Sequence, residues 1–520
     1  MADPRRGREQ PTWLEPLQAA LVEALPRLYG EAPDPAVAAL LASLLEALEQ
    51  GQLAIPLPEG PAAAALATSP LCRASDGPLV IEEGQISWRR WHGIRSAVLT
   101  ALLERVQPSG HAPTVADAAS PAAASLDPRQ SQAVAAVLEQ RLVLLQGGPG
   151  TGKTSTVARM LEAVLAQDPA TRLHLAAPTG KAAGRLAAAT GGRYPCGTLH
   201  RLLESRGDHF ARNRRHPLPL DLLVVDEVSM VDLDLMAALL EALPAQARLV
   251  LVGDPAQLPP IAPGAVLLDL QQPDLQAALG PAAITLTTTY RNNGAIAAVA
   301  ATLRASLDPK GGGGGGDPIA PIRSQLEALT PTDNLAWRRE PMARLPQAVL
   351  ERLEAHLATL VRLAAGCRPG RPEGWQALLA ERDRLLVLSP LRRGPWGVEA
   401  IHRTLLADAA APAAWPEGLP VLCTRNLPDL GLANGDVGVL VGAPGSQERQ
   451  LVFGGKEPLW VHPAQLAGSA EPALALTVHK AQGSEAREVI VLLGGDEPSP
   501  RLLYTALTRA RERALLITAP

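Results

Sequence analysis

The sequence predicts an α/β protein with two domains built on parallel β-sheets. Short apolar runs such as "RLVLLQ", "DLLVVDE" and "ARLVLVGD" alternate with helical segments from Leu126 onward, and each run ends in a polar or glycine-containing turn. Such runs are typical of strands in a parallel sheet that is covered by helices on both faces. A second alternating region begins near Ala301, and short β-runs within residues 412–470 indicate a small antiparallel barrel inserted in it. Because ligands bind at the carboxyl ends of parallel strands, function is expected at those ends.

Length, charge and cysteine content narrow the class of protein. A chain of 520 residues is too long for one hydrophobic core. The net charge of −4 gives no global basic field, although a locally basic channel would suffice for a motor that encloses one strand. The four cysteines are isolated, which indicates neither a zinc site nor a disulfide framework. We expect a cytoplasmic protein without membrane contact, because the sequence has no signal peptide and no apolar run long enough to cross a bilayer.

The clearest motif is a phosphate-binding loop. Gly147-x4-Gly152-Lys153-Thr154 lies directly after an apolar strand and before a predicted helix. Glycines allow the backbone to wrap phosphates, the lysine reaches the β- and γ-phosphates, and the threonine hydroxyl ligates Mg²⁺. The motif therefore predicts a site for ATP with Mg²⁺ as cofactor. Its residues are Gly147, Gly148, Pro149, Gly150, Thr151, Gly152, Lys153, Thr154 and Ser155.

The acidic pair in "LLVVDEVSM" supplies the second half of the nucleotide site. Asp226 ends an apolar strand, where its carboxylate can bind Mg²⁺, and the adjacent Glu227 can act as general base toward the attacking water. A solvated acidic pair after a strand is common, so the pair gains its meaning from the phosphate loop that precedes it. Together these residues describe any P-loop ATPase. The use of the nucleotide must be inferred from motifs further along the chain.

Those later motifs occur in a characteristic order. The chain contains "APTGKAAGRL", "TLHRLL", "GDPAQLPP", "YRN", "LSPLRRGPWGV", "NGDVGVL", "VHKAQGSE" and "YTALTRAR" in that order. This set resembles superfamily 1 DNA helicases, and more closely the RecD family, over roughly residues 75–520. The resemblance implies an ATP-dependent 5′–3′ DNA helicase and translocase. Such a protein is the motor subunit of exodeoxyribonuclease V, a RecBCD-type helicase–nuclease that processes double-strand DNA ends in recombinational repair.

The resemblance also implies a domain order and partners. It predicts two RecA-like P-loop domains, a helical N-terminal domain and a small SH3-like β-barrel inserted in the second RecA-like domain. RecB-like and RecC-like subunits would complete a heterotrimer and supply the nuclease and the scaffold, and the substrates would be single-stranded DNA and double-stranded DNA ends. The expected segments are 1–125, the partner-contacting domain and linker; 126–300, RecA-like domain 1; 301–411, the first part of RecA-like domain 2; 412–470, the insertion; and 471–520, the second part of RecA-like domain 2.

Further roles around the nucleotide follow from the resemblance. Gln130 would read the adenine, unless it is only a surface helix residue, and Tyr290 would stack near the same base. Gln257 would sense the γ-phosphate and Arg291 would reach it. Arg509 would be the arginine finger of the second domain, because an arginine there can neutralise charge on the transferred phosphoryl group. Closure of the cleft on ATP and its opening after hydrolysis would then move the two domains along a strand.

The contacts to single-stranded DNA rest on the resemblance alone. Short hydroxyls and backbone amides at strand ends suit phosphates and do not read sequence. The histidines among these residues could instead be packed or hydrogen-bonded, and the lysines could be solvated. The expected contacts are Pro178, Thr179, Lys181, Arg185, Thr198, His200, Thr477, His479 and Lys480.

Three alternatives stay open at this point. The first is a stand-alone 5′–3′ helicase of the longer RecD-like type, whose members usually carry a larger N-terminal extension than the roughly 125 residues that precede the motor here. The second is a P-loop phosphotransferase or signalling ATPase, against which the pairing of "GDPAQLPP" with "YTALTRAR" argues. The third is a structural subunit with an idle site, which is disfavoured because every catalytic position is filled.

Overall fold

The computed structural model describes most of the chain, including both predicted RecA-like domains. The described residues are 14–30, 34–49, 51–58, 66, 68–73, 76–106, 126–207, 209–289, 294–307, 317, 319–368, 374–406, 414–446, 448–455, 457–494 and 499–520. Two predicted nucleotide contacts, Tyr290 and Arg291, lie outside the described residues, as does the predicted linker before Leu126.

The N-terminal region combines helices with a small antiparallel sheet. The three strands are ordered β1-β3-β2. A last helix leaves this sheet, and its Val98 and Leu102 enter the core of the first RecA-like domain. The buried guanidinium of Arg105 donates to the carbonyls of Leu243 and Ala247, which ties the two regions together. The elements are α1 (Leu14–Leu28), α2 (Pro35–Glu49), β1 (Ala54–Pro56), α3 (Pro70–Arg73), β2 (Leu79–Glu82), β3 (Gln85–Trp88) and α4 (Arg89–Leu103).

The first RecA-like domain is a six-stranded parallel sheet with the order β6-β5-β7-β8-β4-β9. Alternate residues of β4, which lies between β8 and β9, face opposite sides: Leu142 and Leu144 join one apolar cluster, and Val143 and Leu145 join another. The sheet is therefore covered on both faces, as the continuous apolar runs predict. Its elements are α5 (Pro128–Glu139), β4 (Leu142–Gly147), α6 (Lys153–Gln167), β5 (Leu173–Ala177), α7 (Gly180–Ala189), β6 (Cys196–Thr198), α8 (Leu199–Leu202), β7 (Leu222–Val225), α9 (Leu233–Ala242), β8 (Arg248–Gly253), α10 (Val266–Asp269), α11 (Pro273–Leu279) and β9 (Ala283–Leu286).

The second RecA-like domain begins before its expected start. The helix Ala295–Ser306 runs across the expected boundary at residues 300 and 301, and its Ile296, Val299 and Leu303 pack with residues of the C-terminal segment. It therefore belongs with the second domain. The elements before the insertion are α12 (Ala295–Ser306), α13 (Arg323–Glu327), β10 (Leu335–Arg339), α14 (Gln347–Ala364), α15 (Trp375–Arg382), β11 (Leu385–Ser389) and α16 (Val398–Leu406).

A five-stranded antiparallel sheet interrupts this domain, with the order β15-β14-β13-β12-β16. On one side Val439 and Val452 pack against Leu360 of the helix Gln347–Ala364 and Leu379 of the helix Trp375–Arg382. An SH3-like topology for this insertion stays a prediction. The strands are β12 (Pro420–Cys423), β13 (Val437–Val441), β14 (Gln450–Phe453), β15 (Leu459–Val461) and β16 (Ala470–Pro472).

The C-terminal segment completes the second parallel sheet. The strand order is β10-β19-β18-β11-β17, and every strand pairing in it is parallel. The predicted fold class, an α/β protein with two parallel-sheet P-loop domains, is confirmed. No helix in the described parts of the chain is long and apolar enough to cross a membrane. The remaining elements are β17 (Ala475–Thr477), β18 (Ala486–Leu493), α17 (Pro500–Leu507) and β19 (Ala510–Thr518), and 3₁₀ helices span Val228–Met230, Gly280–Ala282, Ala320–Ile322, Pro428–Leu430 and Pro463–Leu466.

Candidate active site

The phosphate-binding loop connects the fully buried strand β4 to helix α6. Its backbone turns through positive φ at Gly150 (76°) and Gly152 (83°), where a residue with a side chain would be strained. A Cβ atom at Gly147 would lie 2.5 Å from the Thr151 hydroxyl oxygen. Helix α6 begins at Lys153, so the loop ends at a helix N-terminus, which favours anions. The sequence thus folds locally into an anion-binding loop.

The side chains of this loop contact its own backbone. Nζ of Lys153 donates to the carbonyl oxygens of Gly147 at 2.6 Å and Gly148 at 3.0 Å. The exposed Ser155 donates its hydroxyl to the Gly152 carbonyl at 2.8 Å. Thr154 is half-buried in the first turn of α6. The structure therefore brings the predicted lysine and threonine to the same end of the sheet as the loop.

The acidic pair follows β7 at the same end of the sheet. Both carboxylates are buried, and the Asp226 carboxylate accepts the Glu227 backbone N–H at 2.9 Å. Burial, and then the neighbouring Glu227, raise the pKa of Asp226 to about 6, while Lys153 acts in the opposite direction. A cation would offset the repulsion between these two groups. Thr154 and Asp226 therefore suit a Mg²⁺ ion, which typically takes one or two protein ligands plus phosphate oxygens.

Three buried polar atoms near this end of the sheet have no hydrogen-bond partner among the described residues. They are Nε2 of Gln146, Oγ of Ser229 and Oε1 of Gln257. Gln146 precedes the phosphate loop, Ser229 follows the acidic pair, and Gln257 follows β8. Leaving such an atom unsatisfied costs about 1–3 kcal/mol. Polar ligands or ordered waters could satisfy such atoms, which fits a binding site at this end of the sheet.

Two side chains of the second domain reach the phosphate loop. A Cβ atom at Gly148 would lie 3.1 Å from Nη1 of Arg304 and 3.2 Å from the phenolic oxygen of Tyr504. Neither residue was singled out from the sequence. Tyr504 carried a signal, because it begins "YTALTRAR", whereas Arg304 belongs to no motif. Both lie on helices of the second domain, α12 and α17, so this domain closes over the loop.

The loop after β8 is hydrogen-bonded across the cleft. The Leu258 backbone N–H donates to the Thr505 hydroxyl at 2.9 Å, and the Gln482 side chain donates to the Leu258 carbonyl at 2.8 Å. Arg501 donates to the Gln257 carbonyl at 3.2 Å. The peptide that carries Gln257 is therefore held by helix α17 and by the loop before β18. Movement of either domain is transmitted to this peptide.

Arg509 and Gln130 have contacts that the sequence did not predict. Arg509 is buried and donates through Nε to the Thr505 carbonyl at 3.0 Å, within the second domain. Gln130 is buried rather than exposed. Its side-chain oxygen accepts the Asp127 N–H at 3.2 Å, and Asp127 accepts the Gln130 N–H at 2.9 Å, a capping box that begins α5. The finger and adenine roles of these residues stay predictions.

The residues of the first domain that are predicted to contact DNA lie at or just after the ends of the β-strands β5 and β6. Pro178 directly follows β5, and Thr179 caps helix α7 by accepting the Ala182 N–H at 3.3 Å. Thr198 caps α8. Burial lowers the pKa of Lys181 to about 8, although Asp383, 3.9 Å away, acts in the opposite direction. The ring of His200 lies 6.0 Å from that of Phe210, and burial lowers the pKa of this histidine.

The residues of the second domain that are predicted to contact DNA lie at the end of β17 and in the turn that follows it. Thr477 accepts the Lys480 N–H at 3.3 Å, Lys480 forms an ion pair with Glu471, and burial lowers the pKa of His479. This turn approaches the first domain closely, because a Cβ atom at Gly483 would lie 3.2 Å from the Thr179 hydroxyl. The structure thus brings the two predicted strand-binding elements together. Their contact with DNA stays a prediction.

Known proteins share this arrangement of motifs. A model for an AAA domain matches residues 130–263, and a model for a UvrD-like helicase C-terminal domain matches residues 472–517. The RecBCD enzyme subunit RecD of Mycolicibacterium smegmatis is 37% identical over 425 residues, which cover 75% of this chain and 70% of that protein. The chain belongs to the RecD family. As a RecD-family protein it is an ATP-dependent DNA helicase of superfamily 1, which confirms the helicase function predicted from the motifs.

Other RecD-family relatives carry two kinds of name. The RecBCD enzyme subunit RecD of Mycobacterium tuberculosis is 37% identical over 418 residues, covering 75% of this chain and 68% of that protein. The ATP-dependent RecD2 DNA helicase of Deinococcus radiodurans is 34% identical over 402 residues, covering 74% of this chain and 48% of that protein. The RecD family thus includes both a subunit type and a second type named as a helicase in its own right.

Proposed function

We propose that this RecD-family chain is the 5′–3′ motor subunit of a RecBCD-type helicase–nuclease that acts on double-strand DNA ends in the cytoplasm. RecB-like and RecC-like chains would complete the heterotrimer. Support comes from the relatives named RecBCD enzyme subunit RecD, which are 37% identical to this chain. Among the described residues no group of three or more His, Cys, Asp or Glu side chains could hold a metal ion by itself. We assign cleavage of DNA to a partner chain, because the named relatives are single subunits of the RecBCD enzyme.

The hydrolysis site lies in the cleft between the two RecA-like domains. Lys153 would contact the β- and γ-phosphates of ATP, and Thr154 and Asp226 would hold Mg²⁺. The bound metal would neutralise charge on the phosphate oxygens. Glu227 would accept a proton from the attacking water, and Gln257 would orient that water or sense the γ-phosphate. Arg509, and Arg291 outside the described residues, would neutralise charge that develops on the transferred group.

The observation that carries the motor proposal is the bonding of the Gln257 peptide across the cleft. Thr505 and Gln482 of the second domain bond the adjacent Leu258, and Arg501 bonds the carbonyl of Gln257 itself. Loss of the γ-phosphate beside Gln257 would therefore shift α17 and the turn that contains His479 and Lys480. If each domain grips a strand with alternating strength, this shift becomes a step along the strand.

An ATPase assay on the purified chain tests this function first. We expect single-stranded DNA to stimulate hydrolysis, and Lys153→Ala to abolish both the basal and the stimulated rate. ATP hydrolysis that survives in this variant would overturn the site assignment. Direction is measured separately, by displacement of streptavidin from the 5′ or the 3′ end of a biotinylated strand. Faster displacement from the 5′ end would contradict the proposed direction, because a 5′–3′ motor runs into a block at the 3′ end.

The alternative proposal is a stand-alone helicase of the RecD2 type, which the 34% identity to the Deinococcus radiodurans protein supports. The two proposals differ in their need for partners. A motor subunit is expected to co-purify with RecB-like and RecC-like chains and to unwind blunt duplex ends only in their presence. Unwinding of a 5′-tailed duplex at full rate by the purified chain, with no association on mixing, would favour the stand-alone type.

A further inference from the structure

A chain of four alternating charges links the two domains beside the general base. Nη2 of Arg185 donates to Oε1 of Glu227 at 2.8 Å, and Nη1 of the same guanidinium lies 3.0 Å from Oε1 of Glu485. The other oxygen of Glu485 accepts from Nε of Arg511 at 2.9 Å. Glu227 belongs to the first domain, and Glu485 and Arg511 belong to the second. Arg185 therefore connects the catalytic carboxylate to the opposite wall of the cleft.

The two contacts of Arg185 differ in quality. The bond to Glu227 is an aligned hydrogen bond, whereas Nη1 has no aligned hydrogen-bond partner among the described residues and contacts Glu485 as an ion pair. Burial alone would lower the pKa of Arg185, but Glu227, Glu485 and Asp226 together raise it. The guanidinium is thus a permanent cation with two carboxylates in reach. A small movement of the second domain can change how it is shared between them.

Arg185 also lies on a helix whose first turn is predicted to contact DNA. Helix α7 spans Gly180–Ala189, and its capping residue is Thr179. A carboxylate of the insertion already occupies this end, because a Cβ atom at Gly180 would lie 2.5 Å from Oδ1 of Asp436. A DNA phosphate at the same helix N-terminus would be repelled by that carboxylate and would have to displace it. Since α7 is short and continuous, a shift of its first turn moves Arg185 as well.

We propose that Arg185 is a positioning residue that restrains the general base Glu227 and releases it when DNA binds. This inference rests on the proposed role of Glu227 in hydrolysis. While Oε1 of Glu227 accepts from Arg185, this bond fixes the orientation of the carboxylate, and only its other lone pairs can accept from water. Single-stranded DNA bound between helix α7 and the turn after β17 draws Arg185 toward Glu485. The freed carboxylate then activates water, so that hydrolysis without DNA stays slow.

Steady-state ATP hydrolysis by the full chain, with and without saturating oligo(dT), tests this restraint. Arg185→Gln is expected to raise the DNA-free rate about five- to tenfold, as for the loss of one charge-assisted hydrogen bond to the base in its resting state. Stimulation by DNA falls by the same factor. Arg185→Lys, which retains the charge but can serve only one carboxylate well, is expected to give an intermediate DNA-free rate. Adding Glu227→Gln to Arg185→Gln should remove the raised rate.

Two further variants separate coupling from general damage. Glu485→Gln removes the second carboxylate that Arg185 contacts, so Arg185 should stay paired with Glu227. The rate of ATP hydrolysis without DNA should therefore stay low, and the DNA-stimulated rate should fall. The matched control is Arg172→Gln, which breaks a bidentate ion pair with Asp221 in the same domain at 2.9 Å and 2.7 Å and should change neither rate. General loss of folding would lower both rates in every variant.

The outcomes distinguish this inference from the proposed function. A DNA-free rate of Arg185→Gln that is unchanged or lower, in a protein with a normal unfolding midpoint, would overturn the role of Arg185. If Arg185→Gln does not fold, a DNA-free rate of Arg185→Lys at or below that of the wild-type chain overturns it equally. Absence of DNA stimulation in the wild-type chain counts against the proposed function, whereas the DNA-free rates still test the restraint.

Discussion

The phenolic hydroxyl of Tyr504 donates a 2.7 Å hydrogen bond to the carboxylate of Asp254, across the cleft between the two RecA-like domains. Both groups are buried, and the Asp254 carboxylate also accepts the Ala256 N–H at 3.1 Å. Burial and the Asp254 charge raise the pKa of Tyr504 well above its usual value. The phenol therefore remains a neutral donor. This bond fixes the second domain against the wall of the nucleotide site.

Tyr504→Phe is expected to weaken domain closure without disturbing either core. It removes one donor from a buried carboxylate, which costs about 1–3 kcal/mol. We expect a lower unfolding midpoint and a KM for ATP raised about tenfold, because ATP binds to the closed cleft. Tyr29→Phe is the control, since it removes an exposed hydrogen bond to the Asp76 carbonyl in the N-terminal region. Equal KM values in both variants would show that the bond has no part in closure.

Arg304 and Arg509 are expected to affect different kinetic constants. Nη1 of Arg304 lies over the phosphate loop at Gly148 and 4.0 Å from Asp254. Arg304→Ala should therefore weaken ATP binding and raise KM about fivefold or more, by loss of a charged contact. Arg509→Ala should retain ATP binding and lower kcat, since a finger acts on the transition state. Nucleotide titration together with steady-state kinetics separates the two effects. Normal turnover in Arg509→Ala would remove the finger role.

The acidic pair predicts a dependence of activity on pH. With a pKa of about 6, Asp226 is ionised above that value and protonated below it. In the proposed site only the ionised form would hold Mg²⁺, so kcat/KM should fall as the pH drops through about 6. Higher Mg²⁺ concentrations should move this fall in kcat/KM to lower pH, because the metal competes with the proton. If the pH at which kcat/KM falls does not depend on the Mg²⁺ concentration, the titrating group is not Asp226.

The same group predicts an effect on stability with the opposite sign from most carboxylates. The folded-state pKa of Asp226 lies above its ordinary value of 3.8, so its contribution to stability is complete below pH 3.8 and is lost as the pH rises through about 6. Without metal at pH 8, Asp226→Asn should raise the free energy of unfolding by up to about 3 kcal/mol while it abolishes hydrolysis. Asp221→Asn is the control, because Arg172 lowers the pKa of that exposed carboxyl and its removal should not stabilise the chain. A urea midpoint for Asp226→Asn at or below that of the wild-type chain would contradict this account.

The sequence was most informative where local chemistry decides the structure. The phosphate loop requires glycine at fixed positions, and Asp226 ends a run whose apolar character marks a buried strand. By contrast, β6 (Cys196–Thr198) has only partly buried residues and β10 (Leu335–Arg339) mixes buried with exposed ones, because both are edge strands whose burial depends on their neighbours. The pairing of Arg185 with Glu227 and Glu485 joins residues far apart in sequence. No local pattern distinguishes such an arginine from one that contacts DNA.

Thr505→Val is expected to uncouple hydrolysis from movement. The Thr505 hydroxyl accepts the buried N–H of Leu258, and valine keeps the shape but leaves that N–H without a partner. Lys153, Asp226 and Glu227 are untouched, so ATP hydrolysis should stay within about twofold of the wild-type rate. The link from the Gln257 peptide to helix α17 is weakened, however, and fewer base pairs should be opened for each ATP consumed.

Unwinding and phosphate release measured in the same reaction give this ratio directly. Thr404→Val, on helix α16 of the same domain, is the matched control. Its exposed hydroxyl donates to the Ala400 carbonyl at 2.9 Å within that helix. A ratio for Thr505→Val equal to that of the control would mean that force passes between the domains by another route. The Gln482–Leu258 bond, the Arg501–Gln257 bond and the Arg185–Glu485 ion pair would then be further connections to test.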